Sequence, residues 1–253
     1  MELSLAGRNA FVTGANGGLG SHFASVLADA GANVAIAARK PESLAPVQNV
    51  LKASGRRVCA VALDVTKPPS VAAAIEEAAA ALGPLSVVVN NAGIAITKPL
   101  LDHTEDDWQQ VIEVNLNGAW RVAQAAARHM VKNGQGGSIV NIASILGLRV
   151  SAQVPSYAAS KAALIQLTKA MALELARHKI RVNALAPGYV ETGINRDFFA
   201  SEPGQALIKR IPQRRIGSPE ELDGALLLLA SDAGSYMTGA VLAVDGGHVV
   251  NTL

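Results

Sequence analysis

Cysteine is nearly absent from this chain: Cys59 is the only one in 253 residues, which excludes an internal disulfide. It lies in the apolar run Val58-Cys-Ala-Val-Ala-Leu63 and reads as a small core residue, not a nucleophile. Charge is also sparse, at 17% of residues with a formal net of +2, so no basic face for nucleic acid or another polyanion is expected. Aromatic residues make up 4%, too few for a base-stacking platform. No apolar run approaches the roughly 20 residues of a membrane span. The segment Met1–Arg8 has neither a basic start nor a long apolar stretch, so it is not a secretory signal and the cytosol is the expected location. The five histidines, His22, His103, His129, His178 and His248, show no metal-ligand spacing. They are expected to be surface or helix residues, with no catalytic metal.

What the chain has is apolar mass. Half its residues are hydrophobic, enough for one large core in a single domain spanning 1–253. Short apolar runs at Asn9–Thr13, Val34–Ala38, Val58–Leu63, Leu85–Asn90, Ser138–Ile142, Arg181–Ala186 and Val241–Val244 read as strands covered on both faces. Helical patterns fit between them at Gly18–Ala30, Glu42–Ala53, Ser70–Leu82, Glu105–Lys132, Ser156–His178 and Pro219–Ser231. This alternation predicts an α/β fold: a doubly wound (Rossmann) seven-stranded parallel sheet with helices on both faces. One connection is unusually long. Residues 188–218 show no clear strand and carry Phe198, Phe199, Ile208 and Ile211, which suggests a helical substrate lid with an apolar underside.

The first strand candidate runs into Thr13-Gly-Ala-Asn-Gly-Gly-Leu-Gly20, which opens the first helix. Glycines there let backbone approach a phosphate, and the helix N-terminus offers unpaired N–H groups to a pyrophosphate. Gly14, Asn16, Gly18, Leu19 and Gly20 are therefore candidate dinucleotide contacts. An NAD site usually has a carboxylate at the end of the second strand. Here that strand ends Ile36-Ala-Ala-Arg-Lys40. Arg39 can form forked bonds to a 2′-phosphate and Lys40 adds charge, so NADP(H) is the expected cofactor, with NAD(H) still possible.

Tyr157 and Lys161 stand four residues apart, one turn along the same helix face. A phenol, ordinarily near pKa about 10, is expected to fall beside an ammonium and become a proton donor to a carbonyl or acceptor from an alcohol.

With these motifs together, the chain resembles the short-chain dehydrogenase/reductase family over essentially its whole length. Leu63-Asp-Val65 resembles the segment whose aspartate contacts adenine, here Asp64 with Val65. Asn90-Asn-Ala-Gly93 resembles the motif that ends the fourth strand and supports the cofactor through Asn91, Ala92 and Gly93. Asn115 sits where the family has its catalytic asparagine, and Ser144, thirteen residues before Tyr157, matches the family's serine. Pro187, Gly188, Val190 and Thr192 resemble the turn that holds the nicotinamide end, and Asp245-Gly-Gly247 the motif after the last strand. The resemblance implies catalytic Asn115, Ser144, Tyr157 and Lys161. Tyr157 would be the general acid or base, Lys161 would also hold the ribose, Ser144 would bond the developing alkoxide, and Asn115 would complete a water-linked proton path. It further implies a homotetramer built on helical faces.

The candidate substrate pocket comprises Ile94, Ile96, Leu146, Val154, Tyr189, Phe198 and Phe199, mostly apolar side chains suited to an uncharged ketone or secondary alcohol. The basic cluster Lys209–Arg215 leaves open a 3-oxoacyl-thioester reductase, and a sugar or polyol dehydrogenase is a third form of the same chemistry. A non-catalytic nucleotide sensor would need none of Ser144, Tyr157 and Lys161.

Overall fold

The computed structural model describes residues 3–191 and 196–250. Its strands are β1 (Asn9–Thr13), β2 (Asn33–Ala38), β3 (Val58–Ala62), β4 (Val87–Asn90), β5 (Gly137–Ile142), β6 (Ile180–Pro187) and β7 (Val241–Val244). All pair in parallel, in the order β3-β2-β1-β4-β5-β6-β7. β1 and β4 are buried at every position, because helices cover both faces and uniformly apolar strands lose least water there. The chain winds outward from β1 to β3, then returns past β1 to β4. That reversal opens a crevice beyond the carboxyl ends of β1 and β4.

Side chains alternate between two cores. On one face Phe23 and Leu27 of α1 (Gly18–Asp29) and Leu226 and Leu229 of α9 (Asp223–Ala230) pack on Val12 and Ile36. On the other, Val71 and Ile75 of α3 (Pro68–Leu82) and Val122 and Met130 of α5 (Ala119–Asn133) pack on Phe11, Val88 and Ile139. Each such fully buried side chain contributes about 2 kcal/mol relative to exposure. Cys59 lies half-buried in β3 at the edge of the second core, and burial pushes its thiol up to about 11, the chemistry of an inert residue.

Several helices differ from expectation for local reasons. The Glu42–Ala53 pattern divides into a 3-10 turn, Pro41–Leu44, and α2 (Ala45–Lys52), where Pro46 fits the first helical turn because no N–H is needed there. Pro219–Ser231 likewise opens as a 3-10 turn closed by a Ser218–Glu221 capping box before α9 begins. Glu105–Lys132 is not one regular helix. α4 (Glu105–Ile112), capped by Thr104 and Asp107, passes through a π-helical segment, Glu113–Gly118, into α5. α6 (Pro155–Leu175) ends in a turn where Lys179 adopts φ 60.

The connection after β6 forms two short helices, α7 (Arg196–Ala200) and α8 (Glu202–Ile208). An isolated bridge ties its base: Gly217 N–H donates to Tyr189 C=O at 2.9 Å and Glu191 N–H to Gly217 C=O at 2.9 Å. Phe199 and Ile211 are buried beneath it, whereas Phe198 is 48% exposed and turns outward, so the expected apolar underside holds for two of these side chains and not for Phe198. The outer faces of α5 and α6 leave an open groove of about 470 Å³ that includes Trp120, Val131, Leu167 and Met171. No helix among the described residues is long and apolar enough to cross a membrane.

Candidate active site

The glycine turn sits at the mouth of the crevice and is shaped by what presses on it. Gly14 has φ +64, and a Cβ there would lie 2.9 Å from Ala92 Cα. A Cβ on Gly20 would fall 2.1 Å from the Gly14 carbonyl oxygen, so helix and turn meet only if residue 20 is glycine. Asn91 locks the arrangement: its Nδ2 donates to the carbonyls of Thr13 and Gly14, each at 3.1 Å. Thr13 Oγ1 accepts from the N–H groups of Asn91 and Ala92, both at 3.0 Å. α1 starts at Gly18 behind the N-cap Gly17, with no side-chain cap, and a Cβ on Gly17 or Gly18 would meet nothing within 4 Å. Uncapped helix N–H groups facing open space fit the pyrophosphate of a dinucleotide. Asn16 is exposed beside that space, while Leu19 turns toward the core.

At the adenosine end, Arg39 and Lys40 are exposed just past β2. Asp64 folds its own turn, its Oδ1 accepting from Thr66 N–H at 3.0 Å and Thr66 Oγ1 at 2.7 Å. That hydroxyl bond chiefly holds the Asp64 carboxyl below the usual range, with smaller help from Lys67 and Arg39. Arg39 therefore lies within electrostatic reach of Asp64. Next to it, the Val65 carbonyl accepts from Arg121 at 3.3 Å.

The reacting end gathers on β4, β5 and α6. Ser144 follows β5, buried, and its Oγ accepts from Leu146 N–H at 3.1 Å. Gly147 lets this turn lie on α6, since a Cβ there would be 2.7 Å from the Lys161 carbonyl carbon. Lys161 is buried. Its Nζ donates to the Ile142 carbonyl at 2.7 Å and lies 5.6 Å from the centroid of the Tyr157 ring. Burial pushes the Lys161 ammonium down to about 8. The expected direction for Tyr157 is corrected. Burial raises its phenol above the ordinary value, Ser144 pulls the other way, and Tyr189 adds a smaller share to the rise. Desolvation of the phenolate sets the direction, and Lys161, whose own charge is desolvated and whose Nζ turns toward Ile142, does not reverse it.

Asn115, within the π-helical segment, has a fully engaged amide. Its Oδ1 accepts from Ile94 N–H at 2.8 Å; its Nδ2 donates to Ile94 C=O at 2.9 Å and to Ser160 Oγ at 3.1 Å. A Cβ on Gly93 would lie 3.3 Å from Asn115 Oδ1 and 3.6 Å from Lys161 Nζ. Asn115 thus clamps the loop carrying Gly93, Ile94 and Ile96 against α6. Gly188 brings the end of β6 onto β7: a Cβ there would be 2.6 Å from Asp245 Cα. Pro187 and Val190 are buried beside it, and Thr192 lies outside the described residues. Leu146, Val154 and Tyr189 are half-buried around the catalytic group, with Phe199 edge-on to Tyr189 at 5.9 Å. Of the two settings expected for the histidines, surface or helix, His248 takes the second: it opens the 3-10 turn His248–Val250, is 8% exposed and packs its ring 5.5 Å from that of Tyr189. Thr13 and Ser160 are further structural members of the site that the sequence motifs did not single out.

Comparison with known proteins follows the same lines. The family profile described as Enoyl-(Acyl carrier protein) reductase matches residues 14–249. The chain is 39% identical over 245 residues to a 2-dehydro-3-deoxy-D-gluconate 5-dehydrogenase of Escherichia coli (strain K12), covering 96% of each protein. It is 39% identical over 244 residues to a 3-oxoacyl-[acyl-carrier-protein] reductase of Chlamydia trachomatis, covering 96% of this chain and 98% of that one. Among solved structures it is similar to a gluconate 5-dehydrogenase from Burkholderia cenocepacia J2315 in complex with NADP and tartrate, with TM-score 0.94 and 39% identity over 99% of this chain and 98% of that one.

Proposed function

The chain belongs to the short-chain dehydrogenase/reductase family, and from that premise we propose that it is an NADP(H)-dependent oxidoreductase that interconverts a keto sugar acid and its secondary alcohol. One observation carries the reading: Ser144, Tyr157 and Lys161 converge where Gly93 ends the motif braced against the glycine turn. When bound, the nicotinamide supplies or takes the hydride. The chain's own residues handle the proton. A phenol raised by burial stays protonated at neutral pH, so Tyr157 holds a proton ready for a carbonyl oxygen. Ser144 Oγ donates to the same oxygen as it gains charge. Lys161 keeps a cation behind the ring, and Asn115 positions the Gly93–Ile94 loop rather than touching the reacting atoms. Residues 188–218 act as the lid over this group.

The uncharged, hydrophobic ketone suggested by the pocket residues gives way to a sugar acid. Gluconate-type dehydrogenases stand among the relatives, and the solved neighbour is a gluconate 5-dehydrogenase in complex with NADP and tartrate. A second reading, 3-oxoacyl-thioester reduction, is favoured by the exposed basic side chains of Lys209–Arg215 and by the acyl-carrier-protein reductase relative. Within that stretch, however, Arg215 is already forked onto Glu221 at 2.6 and 2.7 Å. NADPH oxidation with 5-keto-D-gluconate and with acetoacetyl-CoA decides between them. The keto acid is expected to have the higher kcat/KM; a thioester preferred tenfold or more rejects the sugar-acid reading.

For the cofactor, Arg39→Asp is expected to lower kcat/KM with NADPH by about a hundredfold, the loss of a forked charged contact worth about 3 kcal/mol, while NADH improves. An unchanged NADPH:NADH ratio defeats the assignment of Arg39 to the 2′-phosphate.

A further inference from the structure

Ser160 stands on α6 between Tyr157 and Lys161 and is fully buried. Serine is a poorer helix former than alanine, so the helix itself does not ask for a hydroxyl at this position. The Oγ instead joins two parts of the site. It donates to the Tyr157 carbonyl at 2.7 Å and accepts from Asn115 Nδ2 at 3.1 Å.

A hydroxyl carries one hydrogen. With that hydrogen on the Tyr157 carbonyl, Ser160 meets Asn115 as an acceptor, so Nδ2 must face α6. The same amide grips Ile94, its Oδ1 accepting from the N–H at 2.8 Å and its Nδ2 donating to the C=O at 2.9 Å. Both contacts demand one orientation of the Asn115 side chain. Gly93 closes the circuit, since a Cβ there would lie 3.3 Å from Asn115 Oδ1 and 3.6 Å from Lys161 Nζ. Lys161 follows Ser160 in sequence, so a displacement at Ser160 passes through Asn115 and Gly93 to the ammonium behind the Tyr157 ring. Farther along, the same loop is tied by Lys98 N–H to the Gln153 carbonyl at 2.9 Å, ahead of α6, whereas Ser160 ties it to the helix itself. A satisfied hydrogen-bond chain in a dry core fixes one arrangement where apolar packing alone would permit several.

We propose that Ser160 is a positioning residue: it orients the Asn115 amide and, through it, holds the Gly93–Ile94 loop against α6 at the level of Tyr157 and Lys161. The assignment rests on the proton-transfer reading of Tyr157 and not on which substrate is natural.

The test is a double-mutant cycle in the full-length enzyme with NADPH, using whichever of 5-keto-D-gluconate and acetoacetyl-CoA native enzyme reduces faster. Native enzyme, Ser160→Ala, Asn115→Ala and the double variant are compared. Ser160→Ala is expected to lower kcat roughly tenfold, the upper end for one neutral hydrogen bond. KM for NADPH should stay within about twofold, because Asn91 and Thr13 brace the glycine turn separately. In the Asn115→Ala background the same substitution should cost less than about twofold, because the amide it orients is gone. Asn115→Leu, which fills similar space without an amide, serves the cycle if Asn115→Ala does not fold. An unchanged kcat in Ser160→Ala overturns the proposal. So does a lower melting temperature with kcat and both KM values unchanged, which marks a packing residue. Equal costs with and without the Asn115 amide overturn it too, because Ser160 then does not act through Asn115. Tyr157→Phe, assayed alongside, separates the two readings: full activity there overturns proton transfer by Tyr157, and the role of Ser160 with it.

Discussion

Tyr157→Phe is expected to lower kcat for ketone reduction by about a thousandfold, within the range general acid catalysis supplies, while NADPH binding stays within about twofold. The substitution removes one oxygen and leaves the ring that Lys161 Nζ approaches at 5.6 Å, so the packing of α6 persists. What disappears is the proton on the carbonyl's path, carried by the hydroxyl on which Ser144 bears. The direction of the native phenol's shift adds a second readout. Because burial raises it, Tyr157 remains an acid throughout neutral pH, so reduction by native enzyme should be flat from about pH 6 to 7 and alcohol oxidation should climb with pH up to about 8, where Lys161 begins to shed the charge behind the ring. The Phe variant should lose that climb. Kinetics followed by NADPH absorbance give both results. Full activity in the variant, or an oxidation profile that keeps its alkaline rise, removes Tyr157 from proton transfer.

The parts of this site that depend on local sequence were legible before any coordinates. Strands such as Val87–Asn90 are apolar at nearly every position, so their burial on both faces could be read directly. The four-residue spacing of Tyr157 and Lys161 placed them on one helix face, and the glycine run fixed the turn before α1. What was not legible depends on tertiary contact. Glu105–Lys132 carries an uninterrupted helical pattern. The π-helical segment arises where Gly118 meets Val65, a Cβ there falling 2.6 Å from Val65 Cγ2, and where Asn115 reaches across to Ile94. The direction of the Tyr157 shift depends on desolvation, which no spacing encodes. His248 reads as a surface or helix residue, and only the Asp245 turn shows that it folds inward against Tyr189.

Lys161→Met is expected to leave a more stable protein and a nearly inactive enzyme. Lys161 is 4% exposed, with a hydrogen bond to the Ile142 carbonyl. Its pKa falls from 10.5 to about 8 on burial, a penalty on the charged form of about 3 kcal/mol. The folded pKa is the lower one, so between about pH 8 and 10.5 the unfolded chain binds more protons and native stability rises with pH. Below pH 8 both states are charged and the whole penalty applies. Methionine fills much the same linear space without charge, but it leaves the Ile142 carbonyl unpartnered at a cost of roughly 1 kcal/mol. The net gain at pH 7 is then about 2 kcal/mol, or roughly 5 °C in melting temperature for a chain of this size. The gain should shrink toward zero or below by about pH 10.5, because native Lys161 has by then shed its proton. Both proteins are compared without NADPH, since a ligand that binds the native state adds its own stabilisation. Activity moves the other way, falling at least a hundredfold as the cation behind Tyr157 is lost. A variant less stable than native at pH 7, or one whose advantage is the same at pH 7 and pH 10, contradicts a desolvated ammonium at this position. Near-native activity contradicts its role in the site. The two readouts separate what burial costs the fold from what the buried charge does for the chemistry.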